Sequence, residues 1–348
     1  MKIYIPVILL LFFLVDAFGQ LKPSYFPEDI SIKYEEPICY CQPGVVNKSR
    51  SKGVVINYGR FSSGNYLPEA PNSTPFTASD LNAFNHLEFK IKIPVLVKER
   101  TKVLLGYSYF RERYNFETIT DSFSETLTTL DNTTLKSNGF SAIFSHSISA
   151  KNYIAFRYKY SMNGNYDGWL KVDGRNAIHN FMGMYGFKKS ELFEWGVGIL
   201  FSKNFRRTSG LPFVLYNRTF NDKWGIEAVF PANVFLRHNI DDLTISAIGI
   251  EYASKSFRLD VEDLTGTPLD YAYNHSEILL SLKVERHISS WVWANIKVGY
   301  QYNFDSEFES KSNLTPNFQA DLQSGLFFQV GFFLSPEIDE AVFFDKNK

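Results

Sequence analysis

The sequence predicts an all-β chain folded as one antiparallel transmembrane β-barrel of about fourteen strands, within a range of about 12 to 16. Three observations predict it. The apolar residues repeat with period two over segments of about ten residues, which is the length a tilted strand needs to cross a bilayer. The N-terminus has the form of a secretory signal, and no later run is long and apolar enough for a membrane helix. Aromatic residues are abundant, with 33 Phe, 20 Tyr and 5 Trp among 348 residues, and several stand at strand ends. Aromatic girdles mark both faces of the membrane in such barrels, and disordered chains are poor in aromatics. The charge balance, 36 basic against 37 acidic residues, offers none of the basic footprint that nucleic acid requires.

Taken in order, residues 1–19 read as a cleaved signal peptide. Lys2 is followed by the apolar run Ile3 to Val15 and by Ala17-Phe18-Gly19 at the cleavage position. No cysteine follows directly, which argues against a lipid anchor. Residues 20–51 contain Pro23, Pro27, Pro37 and Pro43 and do not alternate, so they read as an irregular leader or a plug for the lumen. Cys39 and Cys41 stand two apart, a spacing that strains a disulfide. With no histidine nearby they make no zinc shell, and they read as idle thiols.

The barrel is expected over residues 52–334. Alternation is clearest from Leu87 to Val97, Val103 to Tyr109, Ile154 to Tyr160, Trp195 to Phe201, Ile278 to Val284, Val292 to Tyr302 and Leu326 to Leu334. Short polar turns stand at Lys98-Glu99-Arg100, Ser149-Ala150-Lys151, Lys189-Ser190, Asn221-Asp222, Asp241-Asp242 and Ser289-Ser290. If these face the periplasm, both termini lie there and fourteen strands follow. Long outer loops then fall near 63–80, 113–137, 162–175, 254–273 and 304–322, with shorter connections near 205–210 and at Pro231. Pro231 reads as a tight loop or a strand bend, and Phe257 to Leu264 is placed in an outer loop. Tyr107, Tyr109, Tyr158, Tyr160, Tyr300 and Tyr302 suit a girdle. Residues 335–348 read as a flexible tail.

The polar strand faces should line the lumen. Basic candidates are Lys90, Lys92, Lys102, Arg157, Lys159, Arg237, Lys283 and Lys297, against the acidic Glu88, Glu227, Glu277 and Glu285. Rings of like charge set pore selectivity, so this excess suggests a mild preference for anions. The competing reading is a mixed-sign network that braces the interior. Catalysis finds little support. Ser145-His146-Ser147 places neighbours on opposite faces of one strand, Asp241-Asp242 reads as a turn former, and the histidines show no metal-ligand spacing.

Three stretches carry a family resemblance: Leu135 to Phe140 leading to the Ser-Ala-Lys-Asn turn, Gly210 through Asn221-Asp222-Lys223-Trp224 to Pro231, and the closing pair around Trp291 and Gly325 to Leu334. In these the chain resembles an uncharacterised family of outer-membrane β-barrels from Bacteroidota-type bacteria, catalogued as a domain of unknown function. The resemblance spans roughly residues 50–334. It implies a barrel in the outer membrane, and no activity, substrate or site.

The leading expectation is therefore a passive pore or small-solute transporter in the outer membrane of a Gram-negative cell. The alternative is a closed structural barrel whose outer loops bind a surface partner, and an outer-membrane hydrolase is the weakest reading. Expected partners are outer-membrane lipid and the barrel-insertion machinery, with no nucleic acid, cofactor or metal.

Overall fold

The computed structural model describes residues 43–62, 64–69, 78–98, 100–119, 124–169, 173–205, 207–262, 266–310 and 317–335. The expected signal segment, residues 20–42 with both cysteines, and the tail from 336 lie outside the described residues. Among the described residues no helix is long and apolar enough to cross a membrane.

The wall begins with β1 (Val54–Phe61), β2 (Gly64–Glu69), β3 (Ser79–Val97) and β4 (Thr101–Thr118). A short helix, α1 (Ser124–Asn132), precedes β5 (Leu135–Ser147), β6 (Asn152–Gly164), β7 (Ala177–Ser190) and β8 (Phe193–Lys203). Then follow β9 (Thr208–Thr219), β10 (Trp224–Phe230), β11 (Asn233–Asp241), β12 (Thr244–Glu262), β13 (Pro268–Ser289), β14 (Val292–Ser310), β15 (Phe318–Leu322) and β16 (Gly325–Leu334). Sequential neighbours pair antiparallel, and β1 pairs both β16 and β3, which closes the sheet.

Sixteen segments make fourteen wall strands. Phe61 faces Phe327 and Tyr66 faces Leu322 in one unbroken register. At the interruption the Ser62 N–H donates to the Leu326 carbonyl at 2.9 Å, and the Gln323 N–H to that of Asn65 at 2.8 Å. Thus β1 with β2 is one strand, β15 with β16 is another, and both break at the same level. The expected short turns at 149–151, 221–222, 241–242 and 289–290 fall at the junctions of consecutive strands, the one expected at Lys189-Ser190 follows directly after those residues, and Glu99 of the first expected turn lies outside the described residues. Asp241 shapes its turn by accepting from the Leu243 N–H at 2.8 Å. Pro231-Ala232 is a tight connection between β10 and β11, not a bend within one strand.

Strand pleating explains the two faces. Ile56, Leu105, Phe156, Phe181, Val197, Leu236, Ile248, Leu282, Val298 and Val330 point outward and are exposed, and every wall strand contributes such a residue. Water would penalise this continuous apolar belt heavily, whereas it matches hydrocarbon. Inward positions hold many small or polar residues, and a large inner side chain often lies over a neighbouring glycine. A Cβ at Gly186 would meet the Tyr153 ring at 2.2 Å, so glycine there makes room for the ring.

The sequence placed Phe257 to Leu264 in an outer loop; the structure corrects this, with Phe257 to Glu262 paired in β12 against Pro268 to Tyr273. The tall strands also bend together. Beyond Tyr252, β12 has outgrown β11, and its free edge reaches β6, where Arg258 faces Gly164 in a parallel pairing. The Asn165 N–H donates to the Arg258 carbonyl at 3.2 Å, and the Asp260 N–H to Asn165 Oδ1 at 2.9 Å. At this level β12, β13, β14, β15, β2, β3, β4, β5 and β6 form a narrower ring of nine strands, while β7 to β11 have already ended.

A ring of about eight strands is just wide enough for side chains to fill, and this neck is filled. Phe61, Phe84, Tyr114, Phe257, Leu259, Tyr273, Phe308 and Phe318 pack there with Leu127 and Leu130 of α1, all essentially buried. Phe308 stacks on Phe318 at 4.5 Å and on Tyr273 at 4.6 Å. The Tyr114 and Tyr273 hydroxyls lie 3.1 Å apart, so the paired rings leave no phenol unsatisfied.

Candidate functional site

The lower, fourteen-stranded part of the barrel encloses the polar residues. Ladder registers place all twelve sequence candidates on the inner face: Glu88, Lys90, Lys92, Lys102, Arg157, Lys159, Glu227, Arg237, Glu277, Lys283, Glu285 and Lys297. They fall into three groups.

Nearest the neck, Glu277 meets partners absent from the sequence reading. Lys255 lies 2.6 Å from Glu112 and 3.3 Å from Glu277, and Gln301 donates to Glu277 at 2.7 Å. Below them Lys297 pairs with Glu251. Lys255 falls within the segment 254–273 that the spacing assigns to an outer loop, and Glu112 stands just before the one at 113–137. Continued alternation from Phe257 to Val261 was the signal that the strands extend further.

At the short-turn end carboxylates matched by cations hold a strap of chain. Residues 43–52 run inside this end before entering β1. The Gly44 N–H donates to Glu194 at 2.7 Å, and Asn217 donates to the same buried carboxylate at 2.5 Å. The Ser49 N–H donates to Glu227 at 2.9 Å, and Lys52 lies 2.5 Å from Glu285, which also faces Lys283 at 3.3 Å. Three carboxylates from β8, β10 and β13 thus tether the strap. Glu194 was missed because it stands one residue inside a turn, although its alternation with Phe193 and Trp195 put it on the inner face.

Arg237 is fully buried, 3.0 Å from Glu227, and lies over Gly225. Removing the carboxylate would leave a buried guanidinium without its counter-charge, which costs about 3–5 kcal/mol. Glu227→Ala is therefore expected to lower the temperature at which the folded gel band converts to the unfolded one. An unchanged transition would show that water replaces the carboxylate.

The third group is one-sided. Lys90 and Lys92 stand on β3, and Arg157 and Lys159 on β6, with β4 and β5 between them. The inner positions between Lys90 and Lys92 on one side and Lys159 on the other are Gly106, Ser108, Gly139 and Ser141, so small residues form a floor between these cations, while Arg157 lies across from Ile143 at its edge. A Cβ at Gly139 would meet Lys159 Cε at 2.6 Å, which shows the lysine stem lying across that floor. Lys102 extends the basic strip towards the short turns. Glu88 pairs with Lys90 and accepts from Asn57 at 2.9 Å. Among the described residues no carboxylate is within ion-pair distance of Lys92, Arg157 or Lys159, and Lys92 and Arg157 are exposed within the lumen.

The remaining chemistry candidates do not converge. His146 is on the outer face, its Nδ1 2.8 Å from the Thr101 hydroxyl, and Ser145 points to the other side. No cluster of three metal-ligating side chains occurs among the described residues.

Several solved barrels superpose loosely on this chain. A FadL homologue from Pseudomonas aeruginosa is 8% identical, with a TM-score of 0.43 over 82% of this chain and 91% of that one. An outer membrane channel from Pseudomonas putida F1 is 11% identical, with a TM-score of 0.42 over 84% and 99%. The translocator domain of the autotransporter NalP from Neisseria meningitidis is 11% identical, with a TM-score of 0.30 over 81% and 88%. No curated protein matches the chain. Residues 84–338, most of the barrel from β3 onward, match the profile of the family described as a domain of unknown function, DUF6268, and the chain belongs to that family.

Proposed function

We propose that the protein is an outer-membrane channel for small anionic solutes, held closed by its strap and its packed neck. One observation carries this reading. An interior that only braces a barrel balances its charges, as the groups at the neck and at the short turns do here. The β3–β6 sector instead presents Lys92, Arg157 and Lys159 without counter-charge above a floor of glycine and serine. Repelling cations in a half-desolvated lumen cost stability, and an anionic solute removes that cost.

The route follows from the wall heights. The neck is filled by side chains, so passage along its axis is blocked. The rim over β7 to β11 is lower, and inward-facing Leu211 of β9 is 40% exposed beside it. Solute would enter over this rim, cross the basic sector and leave past residues 43–52. A closed barrel that serves as a surface-interaction scaffold is the second reading, favoured by the aromatic core that supports the loop end.

Conductance in planar bilayers tests the choice. The full chain is expected to give few openings, and a chain lacking residues 20–51 stable ones, with a reversal potential in a salt gradient that favours anions. Silence in both, from protein that shifts gel mobility on heating, would support the closed scaffold.

A further inference from the structure

The outer surface carries a groove that the channel reading does not use. It has a volume of about 720 Å³ and is lined by Ile248, Leu282, Val298, Tyr300, Leu326 and Phe328, with Arg60 and Ser62 at one end. The apolar residues belong to the lipid-facing belt. Arg60 also points outward and is exposed, directly below the interruption between β1 and β2.

The ladder orders these residues along one row. Arg60 faces Phe328, which faces Val298, which faces Leu282, which faces Ile248. Four strand spacings span about 19 Å, comparable with an extended acyl chain. The row is inclined, because barrel strands tilt by about 35–45°. Arg60 stands six residues above the start of β1 and Ile248 four above the start of β12, so the apolar end dips towards the short turns. A chain in the groove would descend into the membrane with its polar end at Arg60.

Across β3 the same row continues from Arg60 through Asn85 to Arg113, and Arg111 stands two residues along β4. All three arginines are outward and exposed, and none is in an ion pair among the described residues. Arg60 and Arg113 are two spacings apart, about 10 Å. Guanidinium groups match phosphate oxygens in geometry as well as charge.

From this charge and apolar complementarity we infer that the face is a binding site for a phosphorylated lipid of the loop-side leaflet. The phosphate lies on Arg60 and Arg113, and one acyl chain fills the groove. The inference rests on the barrel standing in a membrane and is independent of what the lumen carries.

Native mass spectrometry of the full chain in neutral detergent tests it, with dioleoyl phosphatidic acid against dioleoyl phosphatidylcholine. Phosphatidic acid should be retained about tenfold better, since charged hydrogen bonds contribute 1.4 kcal/mol or more. The double variant Arg60→Gln/Arg113→Gln should reduce retention to the phosphatidylcholine level. Val298→Phe, which fills the groove on a lipid-facing position, should also weaken it. Arg218→Gln, beside Phe193 and Phe220 at the opposite rim, should not. Equal retention of the two lipids, or retention unchanged by either the double variant or Val298→Phe, would overturn the site. Each variant must keep its heat-shifted gel mobility, which separates loss of binding from loss of fold.

Discussion

Reversing three charges in the basic sector, K92E with R157E and K159E, should turn an anion-preferring pore into a cation-preferring one. The positions are inward, mutually close across a floor of small residues, and outside any described ion pair, so the change removes no partner from a carboxylate. An ion about 8 Å from one such charge gains roughly 0.5 kcal/mol in a water-like dielectric. Three charges give about 1.5 kcal/mol, and screening at 0.1 M salt leaves roughly half. That enriches anions about threefold and depletes cations equally, and the triple variant inverts both factors. The measurement is the reversal potential in a potassium chloride gradient, on protein lacking residues 20–51 so that the strap does not set the current. The single variant R218E is the control, because Arg218 lies on the outer face beside Phe193 and Phe220 and the reversal there adds no charge to the lumen. An unchanged sign in the triple variant would place the ion path away from β3–β6 and remove the main support for an anion channel.

Much of this site was legible in the sequence because a strand writes its orientation into every second residue. Lys90, Lys92, Arg157 and Lys159 each sit between outward apolar neighbours, so their inward direction followed from period two alone. The turns were legible for a related reason. Asn221 and Asp241 accept from backbone N–H groups two residues on, a local device that needs no tertiary context.

The floor between the cations was not legible. Gly106 and Ser141 become neighbours of Lys92 and Lys159 only through pairings between separate strands, and no local pattern states which strands lie side by side. The neck was hidden differently. Alternation across Phe257 to Val261 is as regular as in the membrane, but the other face carries Arg258, Asp260 and Glu262, the charged composition of a loop. The apolar face is satisfied by residues from β1 to β5 and β12 to β15, and by the parallel contact of β12 with β6. Pairing of that kind, between strands far apart in the ring, depends on β7 to β11 ending below the level of Gly164. The strap was half legible. Its prolines and lack of alternation excluded a strand, whereas its tethers Glu194, Glu227 and Glu285 come from three distant hairpins.

The neck is also where a single substitution should have its largest structural effect. Phe308→Ala is expected to release the β12–β13 extension while leaving the membrane-spanning wall intact. Phe308 is fully buried, stacked between Tyr273 and Phe318, and edge-on to Tyr271. Truncating a buried phenylalanine costs about 3–5 kcal/mol, part of it the cavity left behind. This loss falls on a neck whose bond to β6 is one short parallel contact, so local opening is the path that relieves it. The barrel below has its own complete ladders and an apolar belt facing lipid, and neither depends on this ring. Hydrogen exchange is the direct readout. Amides of residues 254–262 and 269–276 should exchange at least a hundredfold faster, as about 3 kcal/mol implies, while those of residues 278–284 and 294–300 stay protected. Faster exchange in both sets would mean that neck and barrel unfold as one unit. Unchanged exchange in both would mean that the nine-stranded ring draws its stability from its hydrogen bonds and not from the aromatic core that fills it.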